Sequence, residues 1–198
     1  MEAFWRGSLG TSSAFFSGTL VRAIPLSIVG LSVALAFRAG VFNIGGEGQL
    51  LLGAVAAAVV GLHVTERAGF GGVPLALLAA MIAGGTWAAI AAVLRARFGV
   101  LEVISTIMLN FVAVNLVSFL VRGPLQEPTH IYPQTELIAA SARLPRLWTE
   151  TRLHFGVVIA MAAGLGVWWF VSRTAAGFRL RAVGASPAAA RVTGRIDA

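Results

Sequence analysis

The sequence contains no cysteine and no lysine, and Asp197 is its only aspartate. Without cysteine it has neither a disulfide framework nor a thiolate site for zinc or an iron–sulfur cluster. Only 12% of its 198 residues are charged, and 58% are hydrophobic. Because an ordinary soluble domain is about a quarter charged, this composition indicates a membrane protein.

Fifteen arginines carry the positive charge and give a net charge of +7. Most lie between apolar runs, where cations flank membrane spans, rather than in a patch that would suit nucleic acid. We therefore expect the lipid bilayer as a partner and no nucleic acid. If five spans alternate, the segments with Arg38, with Arg95 and Arg97, and the C-terminal tail share one side, and the positive-inside rule predicts that this side is cytoplasmic.

Five apolar stretches predict an all-α fold, a polytopic transmembrane helical bundle. A helix needs about 20 mainly apolar residues to cross the hydrocarbon core of a bilayer. The predicted spans lie at about 20–37, 46–63, 73–94, 100–121 and 153–172. The segment 122–152 contains four prolines and is predicted to be an external loop with a short helix at 135–142.

The stretch "RAGVFNIGGEGQLLLG", residues 38–53, places polar side chains and glycines between apolar runs. Four glycines between 38 and 49 disfavour a continuous helix, since each costs up to about 1 kcal/mol relative to alanine. Irregular backbone inside hydrocarbon is tolerated only where protein or a water-filled cavity surrounds it. We therefore predict a broken or re-entrant beginning of the second span, the kind of feature around which transporters build their pathways.

The polar residues of this stretch allow two interpretations. In the first, Asn43 and Glu47 organise a hinge or line a translocation pathway, with Gln49 as a further neutral contact for an uncharged solute. In the second, Asn43 caps the following helix and Glu47 bonds the free amides of its first turn. The sequence leaves both interpretations open.

The fourth predicted span carries a polar stripe. At 100° per residue, Glu102, Ser105, Thr106 and Asn110 fall within an arc of about 140°. Glu102 either faces a pathway or pairs with Arg95 or Arg97 near the membrane surface. For Thr106 and Asn110 the alternatives are lining a pathway and bonding to another helix within the bundle.

The C-terminal tail departs from the membrane pattern. Ser186 and Pro187 predict a helix start, with serine as N-cap and proline in the first helical position, and the helix is predicted to end near Gly194. Such a short helix is not stable alone. We expect it to be held either by lipid headgroups or by a cytoplasmic partner.

Enzymatic signatures are missing. The sequence has no GxxxxGK[ST] phosphate loop and no HExxH motif, and its three histidines lie outside the predicted spans or at their ends. We predict no catalytic residue, no metal site and no bound cofactor in this chain.

Three stretches resemble a known family: "ALAFRAGVFNIGGEGQLLLGA", "EVISTIMLNFVAVNLVSFLVRGPLQEP" and "FRLRAVGASPAAARVTG". They are similar to permease subunits of ABC importers in the group that serves branched-chain amino acids, simple sugars and nucleosides. The F-N-I-G-x-E-G-Q and S-T-x-M-L-N motifs look most like those of nucleoside uptake permeases. The similarity extends from about residue 18 to 194.

The resemblance implies a partial ABC transporter transmembrane domain in the inner (plasma) membrane of a bacterium or archaeon. It implies a second permease subunit, often a non-identical sibling, an external substrate-binding protein, and cytoplasmic ATPase subunits that bind ATP and Mg. Members of the family are longer than this chain, so we expect it to be a fragment or a truncated product. A simple sugar or a branched-chain amino acid is the alternative solute, and a non-transporting membrane scaffold is the alternative function.

The resemblance also implies that 184–195 is the coupling helix that docks on the ATPase. The implied contact residues are Gly184, Ala185, Ser186, Pro187, Ala190, Arg191 and Gly194. Family members often have an acidic residue just after the proline, whereas this chain has Ala188.

Overall fold

The computed structural model of the chain describes residues 1–63 and 71–192, which form two compact units. The first unit comprises Met1–Phe42 and Leu144–Ala198, and the second comprises Asn43–Arg143. Among the described residues there is no β-strand, and five helices are long and apolar enough to cross a membrane. The prediction of an all-α bundle with five spans is confirmed.

Eight α-helices make up most of the described chain. They are α1 (Glu2–Ser8), α2 (Leu20–Arg38), α3 (Gly46–His63), α4 (Gly72–Phe98), α5 (Glu102–Arg122), α6 (Gly156–Arg173), α7 (Ala175–Ala185) and α8 (Pro187–Val192). A π-helical stretch, Ala14–Thr19, leads directly into α2. The spanning helices are α2 with this stretch, α3, α4, α5 and α6.

In the first unit, α2 packs against α6 and α7. Thr174 makes the sharp turn from α6 to α7. Its hydroxyl donates to the carbonyl of Phe170, at 2.6 Å, and accepts from the amide of Gly177, at 3.0 Å. This threonine therefore ends one helix and caps the next, so that α7 is anchored to the end of α6.

A glycine cap ends α2. Gly40 has a φ of +78°, and its amide donates to the carbonyl of Phe37 at 3.0 Å. The amide of Val41 donates to the carbonyl of Ala36 at 3.0 Å. This pair of bonds is the Schellman motif, which requires a left-handed residue that glycine adopts without steric cost. The cap satisfies carbonyls in the last turn of α2 and turns the chain out of the helix.

In the second unit, α3 and α4 touch through small residues. A Cβ on Gly53 would lie 3.1 Å from the carbonyl oxygen of Ala80, and one on Gly84 would lie 3.1 Å from that of Gln49. Helices in lipid associate largely through such close backbone packing, because hydrocarbon offers no hydrophobic driving force between them. The small-residue faces of these two helices are therefore packing surfaces.

The turn between α4 and α5 contains an ion pair. Helix α4 continues beyond the predicted span end at 94 to Phe98, which places Arg95 in its last turn. Arg95 pairs with the buried carboxylate of Glu102 in the first turn of α5. Each charge lies at the helix end whose dipole it complements. The structure thus favours the pairing interpretation of Glu102.

The predicted helix at 135–142 is wrong. Only Ala140–Ala142 is helical, as a single 3₁₀ turn. The amide of Ala139 donates instead to the carbonyl of Gly61, at 2.9 Å, in the last turn of α3. A hydrogen bond to another helix thus replaces the bond that this amide would make within a local helix.

The carboxylate of Glu127 organises the loop that follows α5. It accepts hydrogen bonds from Gln134 Nε2 at 2.6 Å, from the Thr129 hydroxyl at 2.7 Å and from the Tyr132 amide at 3.4 Å. Bonds from Gln134 and Thr129 favour the charged form and hold the pKa of Glu127 below its ordinary value of 4.5. Since the folded pKa is lowered, this stabilisation is present above pH 4.5 and is lost as the pH falls through the folded pKa.

We predict that Glu127→Gln opens this loop at neutral pH. The amides of Tyr132 and Gln134 should lose protection against hydrogen exchange by about two- to fivefold, as expected for an exposed charged bond. In the unsubstituted chain the same loss should appear on acidification, after correction for the intrinsic exchange rate. Glu136→Gln is the control, because the Glu136 side chain makes no hydrogen bond within the described chain. Equal protection in both variants would contradict the assignment.

Candidate functional site

The non-helical break between α2 and α3 spans residues 39–45, as the glycine pattern predicts. Two side chains of α5 hold its second half. The amide of Ile44 donates to the Thr106 hydroxyl at 3.3 Å, and the carbonyl of Ile44 accepts from Asn110 Nδ2 at 3.0 Å. The Thr106 hydroxyl itself donates to the Glu102 carbonyl at 2.7 Å. Both backbone groups of Ile44 are thus satisfied by one face of α5.

Asn110 also caps α3. Its Oδ1 accepts from the amide of Gly48, in the first turn of α3, at 2.9 Å. Gly46 and Gly48 are helical, in agreement with the predicted span at 46–63, although glycine disfavours helix. The physical reason is the cap from α5, which satisfies a first-turn amide that would otherwise be unpaired.

Asn43 bonds within the same stretch. Its Oδ1 accepts from the amide of Gly45 at 2.8 Å and from Gln49 Nε2 at 3.2 Å. Asn43 therefore fixes the turn that precedes α3 and orients Gln49 in the first helical turns. Asn43, Gln49, Thr106 and Asn110 form one neutral network around the start of α3.

Glu47 stands apart from this network. It is exposed in the first turn of α3, and its side chain makes no hydrogen bond among the residues that the structure describes. The interpretation in which Glu47 bonds first-turn amides is therefore wrong, since Asn110 reaches one of those amides from α5 instead. The Glu47 carboxylate is free to meet solute, water or another chain.

Trp87 on α4 is a member of the site that the sequence did not indicate. A Cβ on Gly48 would lie 3.1 Å from Trp87 Nε1 and 2.9 Å from Asn110 Oδ1. The indole N–H is buried and has no hydrogen-bond partner among the described residues. Only glycine leaves room at position 48 for both groups. The one available signal was a single tryptophan within an alanine-rich span, which is equally typical of plain packing.

The tail differs from the prediction of one coupling helix at 184–195. A further helix that was not predicted, α7, precedes α8 and contains Gly184 and Ala185 at its end. Ser186 is extended and α8 begins at Pro187, as the N-cap pattern predicts. The capping threonine and the extended Ser186 divide the tail into two helices. Ala190 is buried in α8, Arg191 belongs to the same helix, and Gly194 lies outside the described residues.

Within residues 1–63 and 71–192, no group of three or more His, Asp or Glu side chains is placed to hold a metal ion. The network around the start of α3 consists of amides, hydroxyls and backbone groups. Such groups can hold a backbone break in place or exchange hydrogen bonds with a neutral solute. They do not form a nucleophile and base pair.

Three relatives are similar to nearly the whole chain. A glucose ABC transporter permease of Haloferax volcanii is 41% identical over 93% of this chain and 51% of its own length. A guanosine ABC transporter permease of Bacillus subtilis is 39% identical over 98% of this chain and 56% of its own. A nucleoside ABC transporter permease of Lactococcus lactis is 32% identical over 98% and 55%. No solved structure matches the chain significantly.

The chain thus spans about half the length of the curated relatives it matches. A family profile described as "Branched-chain amino acid transport system / permease component" matches residues 15–196 and so includes α2 to α8, the break and the tail. This chain, with five helices long and apolar enough to cross a membrane, therefore belongs to the permease family of branched-chain amino acid transport systems.

Proposed function

We propose that this chain forms part of the translocation pathway of an ATP-driven importer for a small polar solute, most suitably a nucleoside. The family match over residues 15–196 carries the proposal. Its physical support is the break at 39–45, which lies between two spanning helices and is bounded by a neutral hydrogen-bonding network. Transporter folds place polar substrates against helix ends and irregular backbone that line a cavity.

In this proposal the polar residues divide into two roles. Thr106, Asn110 and Asn43 hold the break and the start of α3 in one geometry, because each has defined hydrogen-bond partners there. Glu47, which has no such partner among the described residues, meets the solute, and the Gln49 amide joins it by exchanging its bond to Asn43. The first set controls the pathway by fixing the backbone, and the second set controls it by touching the solute.

The chemistry of the site favours a neutral solute. Along residues 43–49 and the polar face of α5, the only charged side chains are Glu47 and Glu102, and Glu102 is paired with Arg95. A free amino acid would require a cation or free helix N-terminal amides for its carboxylate, and at the start of α3 the Gly48 amide is already bonded to Asn110. A nucleoside requires only hydrogen bonds. Glucose is the second candidate, because the Haloferax volcanii relative carries that name and the sugar presents similar hydroxyl groups.

Further subunits complete the transporter in this proposal. Cytoplasmic ATPase subunits bind ATP and Mg and dock on the tail, while this chain binds no cofactor. A second permease subunit, a non-identical sibling, shares the pathway, and an external binding protein delivers the solute. The assembly lies in the inner (plasma) membrane of a bacterium or archaeon. The relatives' names, which describe ABC transporter permeases, support this arrangement.

The solute is tested by equilibrium binding of nucleosides, glucose and leucine to the cognate external binding protein. Nucleosides should bind about a hundredfold more tightly than the others, since a site built to pair the donors and acceptors of a base leaves them unpaired with glucose or leucine. Uptake by the complete transporter should follow the same order. Preference for glucose would establish the second candidate, and preference for leucine would overturn the choice of a solute without ionised groups.

The division of roles is tested on α3 and α5. Asn110→Leu should lower the free energy of unfolding by about 2 kcal/mol, because it leaves the Gly48 amide and the Ile44 carbonyl without partners. Asn115→Leu is the matched control, since Asn115 is exposed and bonds only the Phe111 carbonyl of its own helix. Glu47→Gln should reduce uptake while leaving thermal unfolding in detergent unchanged. Loss of stability with Glu47→Gln would contradict its assignment to solute contact.

The tail is tested by copurification of the full-length permease with its ATPase subunits. Arg191→Glu or Pro187→Gly should abolish copurification, because the first reverses a charge in α8 and the second removes its preset helix start. Arg179→Glu, a charge reversal at an exposed position of α7, should leave it intact. Indifference to both changes in α8 would favour the non-transporting scaffold.

A further inference from the structure

We infer that a direct backbone contact between Gly40 and Gly184 transmits movement of the tail to the break between α2 and α3. The two glycines lie at the end of α2 and in the last turn of α7, within the first unit. The inference rests on the proposed function, since it concerns how movement driven by the ATPase reaches the permease.

The contact leaves no room for a side chain. A Cβ on Gly184 would collide with the carbonyl oxygen of Arg38 and lie 2.9 Å from the carbonyl carbon of Ala39. A Cβ on Gly40 would lie 3.2 Å from the Cα of Gly184. Backbone therefore rests on backbone, without a flexible side chain to absorb a displacement.

Both sides of the contact are held firmly. The Schellman cap engages the amides of Ala39, Gly40 and Val41, so the end of α2 has little freedom to deform. Helix α7 is anchored at its start by Thr174. A displacement of α7 therefore moves the end of α2 rather than closing a gap.

The contact joins two short stretches of chain. Gly184 precedes the extended Ser186 and α8, which is the segment proposed to dock on the ATPase. Gly40 begins the break, and the chain continues from it through Phe42 to Asn43, where the hydrogen-bonded network starts. Gly40 and Gly184 are therefore positioning residues for the proposed gate, although neither touches a solute.

A matched pair of substitutions separates the effect of the contact between Gly40 and Gly184 from the effect of the helix cap. Asparagine tolerates left-handed backbone, so Gly40→Asn keeps the Schellman conformation while placing a Cβ against Gly184. Gly99→Asn is the control, because Gly99 ends α4 with a φ of +66° and has open space around its Cβ position. In the complete reconstituted transporter, Gly40→Asn should lower the solute imported per ATP hydrolysed by about tenfold, a typical coupling magnitude. Gly99→Asn should leave that ratio unchanged. Equal ratios in the two variants would overturn the inference.

A second measurement does not depend on transport. In the purified full-length permease, Gly184→Ala should increase hydrogen exchange at the amides of residues 39–41, because the end of α7 can no longer rest on the cap. Gly166→Ala on α6 is the control, since its Cβ would meet nothing within 4 Å. Unchanged exchange in Gly184→Ala would overturn the inference even if no solute were imported. Conversely, absence of uptake by the unsubstituted transporter would count against the proposed function alone.

Discussion

Between α2 and α3 the backbone leaves helical geometry and its amides and carbonyls need other hydrogen-bond partners, and this requirement governs the break at 39–45. The first half satisfies it locally, since the Schellman bonds of Gly40 and Val41 use carbonyls of α2 itself. The second half satisfies it through α5, where Thr106 and Asn110 take up both backbone groups of Ile44. Thr106 and Asn110 therefore fix the backbone at Ile44, directly before α3.

The spacing of the α5 residues explains why one helix can do this. Thr106 and Asn110 are four residues apart and so lie one above the other on the same face. Opposite them, Gly48 brings the first turn of α3 close enough for a direct cap, while Trp87 packs against the same point from α4. Small residues on α3 and α4 produce the backbone contact at Gly53 and Ala80 that holds these helices together. Gly48 thus serves both polar bonding and close packing, whereas Gly53 serves close packing alone.

The sequence predicted the features that have a local cause. The length of the apolar stretches predicted five spans, and the glycines between residues 38 and 49 predicted the break. The pair Ser186 and Pro187 predicted the start of α8. The sequence did not predict what long-range contacts decide. The cap on Gly48 comes from a residue 62 positions away, which no local motif indicates. Helix α7 has a mixed, weakly apolar sequence, and its threonine cap also bonds the preceding helix, which no single motif indicates.

The network at the start of α3 is neutral and internally bonded, so moving it requires exchanging hydrogen bonds rather than separating charges. Such exchanges cost little when a new partner is present and much when none is, because an unpaired buried group loses its hydration without compensation. A solute that offers donors and acceptors at this point would lower the cost of opening, whereas an apolar molecule would not. In the proposed importer, the hydrogen bonds that fix the start of α3 would therefore favour a hydrogen-bonding solute, and the exposed carboxylate of Glu47 lies in the same helix turn.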